Sequence, residues 1–312
     1  MLKVLVLGSG AGGGSPQWNC NADVSRSVRT GQPGTSRRTQ SSIAVSVDES
    51  NWFLFNASPD LGSQIQNNRQ LHPDPSYGLR HSPILGTVLT NGDVDHVAGL
   101  LTVRESYPLA IYATQRVQSV LEQNAIFNVL NPKFVDRRKL SLDQRIELRT
   151  KNKKSTGLFI EPFSVPGKVA LWLEDEKAGK NFGTVEEDTI AVKISSTDKE
   201  EFFYYIPACA NMTKELARKI KGSPLVFFDG TLWRDDEMVI NKVGYKTGKR
   251  MGHMSNSGPG GTIAAFKNLD VKRKIFIHIN TTNPILIDGS EERKFAEKAG
   301  WEVSYDGMEV IL

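Results

Sequence analysis

The amino-acid sequence predicts an α/β (α+β) layered fold. Strand-like and helix-like patterns alternate along the first 130 residues, the middle of the chain is richer in strands, and several strands end in a polar or ligating side chain. With 312 residues, 39% of them hydrophobic and 24% charged, the chain carries enough apolar content for one core, so a single domain over 1–312 is expected.

Residues 2–7 form a continuous apolar strand that runs into the glycine-rich segment 8–14. Gly8, Gly10 and Gly13 satisfy a Gly-x-Gly-x-x-Gly pattern, but Pro16, Gln17, Trp18 and Asn19 follow where a dinucleotide site needs a helix. The glycines are instead expected to let backbone approach a metal or substrate, and 26–40 to be loop. Residues 41–47 and 52–56 alternate as an antiparallel hairpin, and Ser58 caps the helix that Pro59 opens. Residues 84–90 read as a buried strand, the segment from Val94 as a helix, 109–113 as a strand and 115–123 as a helix. Further strands are expected at 145–149, 157–165, 189–194, 202–206, 225–228 and 274–279, with helices at 213–221 and 291–298. Residues 171–183 read as a surface excursion suited to a lid, and 301–312 as a terminal hairpin turning at Asp306 and Gly307.

Bulk properties exclude several classes. The longest apolar runs, such as 275–279, are too short to cross a bilayer, and Met1 leads directly into a strand, so neither membrane insertion nor a signal peptide is expected. Only Cys20 and Cys209 occur, which disfavours a disulfide framework and makes the cytoplasm the expected compartment. Net charge is +4, and the basic runs 137–139 and 151–154 read as solvated loops without the aromatic interleaving of a nucleic-acid surface.

Asp93, Asp95 and His96 fall within four positions at a strand-to-helix turn. Spacing alone leaves two readings open, helix caps or ligands to a divalent cation. His253 lies in the glycine-rich loop 251–261, where a site is the better explanation of a histidine; His72 and His81 read as surface residues. His278 ends an apolar strand, as Asp229 does after 226–228, and each reads as a structural residue or a site residue.

Residues 90–100 resemble the metallo-β-lactamase signature His-x-His-x-Asp-His-x-x-Gly-Leu, with Asn91 and Asp93 in place of histidines and Asp95, His96, Gly99 and Leu100 retained. Stretches along the whole chain, 12–20, 38–43, 56–60, 90–101, 165–168, 228–231, 252–253 and 278–284, are similar to a metallo-β-lactamase-like family of pyrroloquinoline quinone (PQQ) biosynthesis. The resemblance implies an αββα sandwich of two mixed sheets and an iron held by Asp93, Asp95, His96 and His278. It implies hydroxylation of the tyrosine ring of a glutamate–tyrosine cross-linked precursor. An older family label implies instead a carrier that moves PQQ or its precursor to the periplasm.

A dinuclear zinc hydrolase wants several imidazoles, whereas oxygen ligands with one imidazole suit Fe(II) or Mn(II). An Fe(II)-dependent hydroxylase is therefore the first expectation, with a carrier and a metal-dependent hydrolase as alternatives and zinc or manganese able to occupy a purified sample. In that scheme His253 and Asp229 orient substrate or relay protons, and Arg37, Arg38 and Lys168 pair with its carboxylates. Expected partners are the small-molecule precursor, other proteins of the pathway and a second copy of the chain. The family commonly carries Cys-x-Cys-x-x-Cys, but Asn21, Ala22 and Asp23 follow Cys20 here. No structural zinc is expected at Cys20, and 21–34 are expected to be less ordered.

Overall fold

Burial along the first strand already dictates the layering. In β1 (Lys3–Gly8), Val4 and Val6 point to one face and Leu5 and Leu7 to the other, and all four are buried. A strand covered on both faces lies between two apolar layers. The computed structural model describes residues 1–178, 183–197 and 200–312, and their strands form two seven-stranded sheets.

The first sheet contains β1, β2 (Ser42–Ser46), β3 (Trp52–Phe55), β4 (Ile84–Val88), β5 (Leu109–Thr114) and β6 (Val135–Leu140). The second contains β7 (Ile146–Glu147), β8 (Phe159–Ser164), β9 (Ile190–Ser195), β10 (Phe202–Ile206), β11 (Leu225–Asp229), β12 (Arg273–Ile277) and β13 (Trp301–Val303). The chain returns to the first sheet as β14 (Glu309–Ile311), antiparallel to β1. Each sheet is mixed: β3 to β6 are parallel in one, β10 to β13 in the other.

Phe53, Phe55 and Val88 of the first sheet meet Val192, Phe203, Phe227 and Ile275 of the second in one core. Truncating a side chain such as Phe227 to alanine there costs about 3–5 kcal/mol. Outside the first sheet pack Leu61 of α2 (Leu61–Asn67), Val97 of α3 (Val94–Val97) and Val117 and Leu121 of α4 (Gln115–Gln123). Outside the second pack Val24 and Val28 of α1 (Asp23–Arg29), Leu216 and Ile220 of α5 (Lys214–Ile220) and Ala296 of α8 (Glu291–Lys298). Ile263 and Ala265 of the short α7 (Thr262–Ala265) pack on the same layer, and the short α6 (Glu237–Ile240) precedes it in the chain. The order is α, β, β, α, the metallo-β-lactamase-like sandwich.

Four local expectations are corrected. The segment 21–34 contains α1: Val24 and Val28 are buried, and the Arg29 guanidinium donates to the carbonyls of Gln17 and Cys20. The basic run 137–139 lies in β6, an edge strand whose half-exposed positions accept charge; Arg138 pairs with Asp136 and donates to the carbonyls of Arg149 and Thr150. Ser58 precedes the cap position, which Asp60 holds, and its hydroxyl accepts from the Asp60 N–H at 3.2 Å. The 301–312 hairpin is absent, because β13 and β14 belong to different sheets and the link at Asp306 crosses between them. Of the expected excursion at 171–183, residues 179–182 lie outside the described residues. Among the described residues no helix is long and apolar enough to cross a membrane.

Candidate metal centre

Parallel strands in both sheets deliver their C-terminal ends to one edge, and the candidate ligands sit just past those ends. β4 leads into Asn91–His96, β11 ends in Asp229, and β12 is followed by His278. Main-chain bonds lock this edge: Ile190 N–H donates to the Thr90 carbonyl at 2.9 Å, and Ala11 N–H to the Ile279 carbonyl at 2.8 Å. Asn56 Oδ1 accepts from Thr90 N–H at 2.9 Å, which fixes the chain one residue before the ligand segment. Gly99 packs so closely on the carbonyl of Ser58 that a β-carbon has no room, so the helix carrying His96 must approach there through glycine.

His96 is 1% exposed, and burial lowers its pKa to about 4, so the imidazole is neutral at pH 7. Asn91 Oδ1 accepts from Asp93 N–H at 3.0 Å, which identifies it as the amide oxygen. It lies 2.7 Å from His96 Nδ1, so Nδ1 carries the ring proton and Nε2 presents a lone pair. That Nε2 is buried without a hydrogen-bond partner and faces Asp95 Oδ2 at 3.8 Å. Two electron-rich atoms directed at one gap are donors that could hold a cation between them.

His278 supplies the next donor. Its backbone φ of 59° lies in the left-handed region, a costly conformation for a residue with a β-carbon. The conformation is held by Thr231 Oγ1, which is 2.9 Å from the His278 carbonyl and 2.9 Å from its Nδ1. His278 Nε2 then lies 3.1 Å from Asp95 Oδ2. Burial disfavours the charged form of His278, but the hydrogen bond and charge of Asp95 outweigh it and hold the pKa above the ordinary histidine value. Burial likewise opposes ionisation of Asp95, yet His96 and His278 keep it well below the usual carboxylate range. Donor atoms of Asp95, His96 and His278 all lie within 4.8 Å of one another.

A second triad shares His278. Asp229, fully buried, accepts His253 Nδ1–H at 2.7 Å and Cys209 N–H at 2.8 Å on one oxygen, and Thr231 N–H at 3.0 Å on the other. His253 therefore keeps Nε2 for the cavity, and its ring stacks on His278 with centroids 5.1 Å apart. Burial pushes the Cys209 thiol up to about 12, which removes it as a nucleophile. The cavity over both triads has a volume of about 500 Å³, and Gly12 of the glycine loop stands beside Asp95 at its wall.

The other expected residues are distributed differently. Asp93 lines the cavity but stands apart from the ligand group: its carboxylate accepts from Leu171 N–H at 3.1 Å and pairs with Lys168 Nζ at 3.4 Å. Lys168 also lines the cavity, whereas Arg37 is exposed away from it. Arg38 is buried, donates to the Ser304 carbonyl at 2.8 Å and has its pKa lowered by burial; it serves the fold. Sequence reading overlooked Thr231, which touches Asp229, His253 and His278, and the orienting role of Asn91. The Gly230-Thr231 step after a strand-ending aspartate was the available signal.

Two buried imidazoles and a carboxylate at the edge of an αββα sandwich define a metallo-β-lactamase-fold protein with a metal-binding centre. Residues 51–279 match the beta-lactamase superfamily domain family. The chain is 49% identical to coenzyme PQQ synthesis protein B of Rhodopseudomonas palustris over 312 residues, covering all of both chains. Its identity to the protein of that name from Xanthomonas oryzae pv. oryzae is 50% over 311 residues, again across the full length of both. The crystal structure of Zn(2+)-bound PqqB from Methylobacterium extorquens superposes with a TM-score of 0.93 at 45% identity, covering 99% of this chain and 100% of that one. The chain belongs to the coenzyme PQQ synthesis protein B family.

Proposed function

We propose that the chain is a non-haem Fe(II)- and oxygen-dependent hydroxylase acting on the tyrosine ring of a glutamate–tyrosine cross-linked precursor of PQQ. The observation that carries this reading is the buried, unpartnered His96 Nε2 facing Asp95 beside His278. Two histidines and one carboxylate are the donor set of non-haem Fe(II) oxygenases, and they leave positions open. Asn91 replaces an imidazole that a second metal position would use, which weakens the hydrolase alternative. The M. extorquens relative is Zn(2+)-bound, which supports uptake of a divalent cation by a chain of this family.

When bound, Fe(II) would supply the one-electron chemistry toward dioxygen that side chains lack, and the two electrons that take the second oxygen atom to water would come from an external reductant. The chain's own residues do the rest. Asp229 holds His253 with Nε2 toward the substrate, placed to accept the proton that a hydroxylated ring carbon must lose. Thr231 keeps His278 and His253 in register, and Lys168 pairs with a substrate carboxylate.

The test is anaerobic reconstitution with Fe(II), followed by oxygen, the cross-linked precursor and a two-electron reductant such as ascorbate. Oxygen uptake with one oxygen atom gained by the product is expected, and its loss in folded Asp95→Ala and His96→Ala. Esterase or phosphodiesterase turnover by a stoichiometric zinc form, without oxygen uptake by the iron form, overturns the reading. Unchanged oxygen uptake in those variants overturns the ligand assignment.

A further inference from the structure

Behind the cavity wall formed by Asn280 and Met238 runs a chain of hydrogen-bonded side chains. Glu237 Oε2 accepts from the N–H groups of Trp233 at 2.7 Å and Arg234 at 3.3 Å, and its Oε1 accepts from Thr282 Oγ1 at 2.5 Å. A threonine hydroxyl has one proton, so once Glu237 has taken it, Oγ1 can only accept. Asn280 Nδ2 therefore faces Thr282, at 2.6 Å, and it also donates to Met238 Sδ at 3.1 Å. Both amide protons are committed, and Asn280 Oδ1 has no partner among the described residues. Asn280 and Met238 line the cavity, whereas Glu237 and Thr282, 5% and 6% exposed, stand behind it.

We propose that Glu237 is a positioning residue for the cavity: acting through Thr282, it holds the Asn280 amide with Oδ1 toward the ligand, so this wall selects a group that donates a hydrogen bond. A hydroxyl satisfies Oδ1, whereas an ether oxygen leaves two acceptors facing each other. Glutamine at position 237 inverts the chain. The two backbone N–H groups still require an oxygen, so the new amide N–H turns to Thr282. The Thr282 hydroxyl then gives its proton to Asn280 Oδ1 and leaves Nδ2 for the cavity. The inference rests on the proposed substrate site only for the identity of the donor, and the polarity of the wall does not require the hydroxylation.

The test is exchange of the Asn280 side-chain amide with solvent, read by NMR on the Zn(II)-loaded full chain at about pH 8, above the value of about 7 to which burial raises Glu237. Asn280→Ala assigns the resonance. Its protons exchange roughly tenfold more slowly in wild type than in Glu237→Gln, because hydrogen bonds shield them in the first and solvent meets them in the second. Titrations of phenol, which donates, and anisole, which only accepts, follow the same resonance. Wild type prefers phenol, and Glu237→Gln lowers that preference roughly tenfold. Thr282→Val, close in size, cuts the link by itself: exchange quickens, and adding Glu237→Gln changes neither readout further. Unprotected exchange in wild type, unchanged exchange or preference in folded Glu237→Gln, or a Glu237→Gln effect that persists beside Thr282→Val each overturns the proposal. Failure of the hydroxylase reading shows separately, as absent oxygen uptake by the iron form with the exchange contrast intact.

Discussion

His96 Nδ1 lies 2.7 Å from Asn91 Oδ1, and this single hydrogen bond decides what the opposite ring nitrogen does. With the proton fixed on Nδ1, Nε2 is a lone pair aimed at Asp95. Asn91, which stands where the superfamily signature has a histidine, thus acts through another ligand.

Replacing Asn91 with alanine is expected to lower Zn(II) affinity roughly 10–100-fold while the chain stays folded, since the tautomer is no longer enforced. Asn91→Asp, which keeps an acceptor for Nδ1–H, restores most of it. Competition against a chromophoric chelator measures both, and wild-type affinity in Asn91→Ala contradicts the orienting role.

His253→Gln is expected to keep its metal, because Asp95, His96 and His278 remain, and to lose oxygen-dependent turnover by about 10²–10⁴-fold. Metal analysis beside single-turnover kinetics checks the separation. Loss of metal together with activity makes His253 a ligand instead.

Glu237 is buried, accepting from Thr282 Oγ1 and from Trp233 N–H at 2.7 Å, and burial raises its pKa from 4.5 to about 7. In the unfolded chain it ionises near the lower value, so between these limits the fold retains a proton that the unfolded state has lost. Stability is therefore fully present below pH 4.5 and falls as pH rises to about 7, by on the order of 3 kcal/mol. Urea denaturation of wild type minus Glu237→Gln across this range isolates the slope. A pH-independent difference rules it out.

Asp306 ties the two sheets at the glycine loop, accepting Ser9 N–H at 2.9 Å and Thr39 N–H at 2.6 Å. Asp306→Ala leaves both donors without their carboxylate and is expected to cost about 3 kcal/mol in denaturant midpoint analysis. A loss under about 0.5 kcal/mol, the range of an ordinary surface substitution, refutes the tie.

Much of the fold was legible because apolar periodicity survives in single segments: β1, β4, β11, β12 and α8 fall where the pattern places them. β6 was hidden, because an edge strand with half-exposed positions tolerates Arg137, Arg138 and Lys139 and loses the apolar signature. α1 was hidden because only Val24 and Val28 mark its inner face within a polar stretch. The terminal hairpin failed for a different reason: two short strands with a turn between them look alike whether they pair or join different sheets.

By itself the sequence determined the layered class, the polar strand-to-helix turn that carries Asp93, Asp95 and His96, and the strand ends at Asp229 and His278. Those features depend on residues close together along the chain. Tertiary structure decided which of them meet. It placed His278 Nε2 3.1 Å from Asp95, 183 positions away in the chain, turned Asp93 to Lys168, and buried Arg38. Side-chain partners across two sheets are set by packing of the whole core, and no local pattern encodes that.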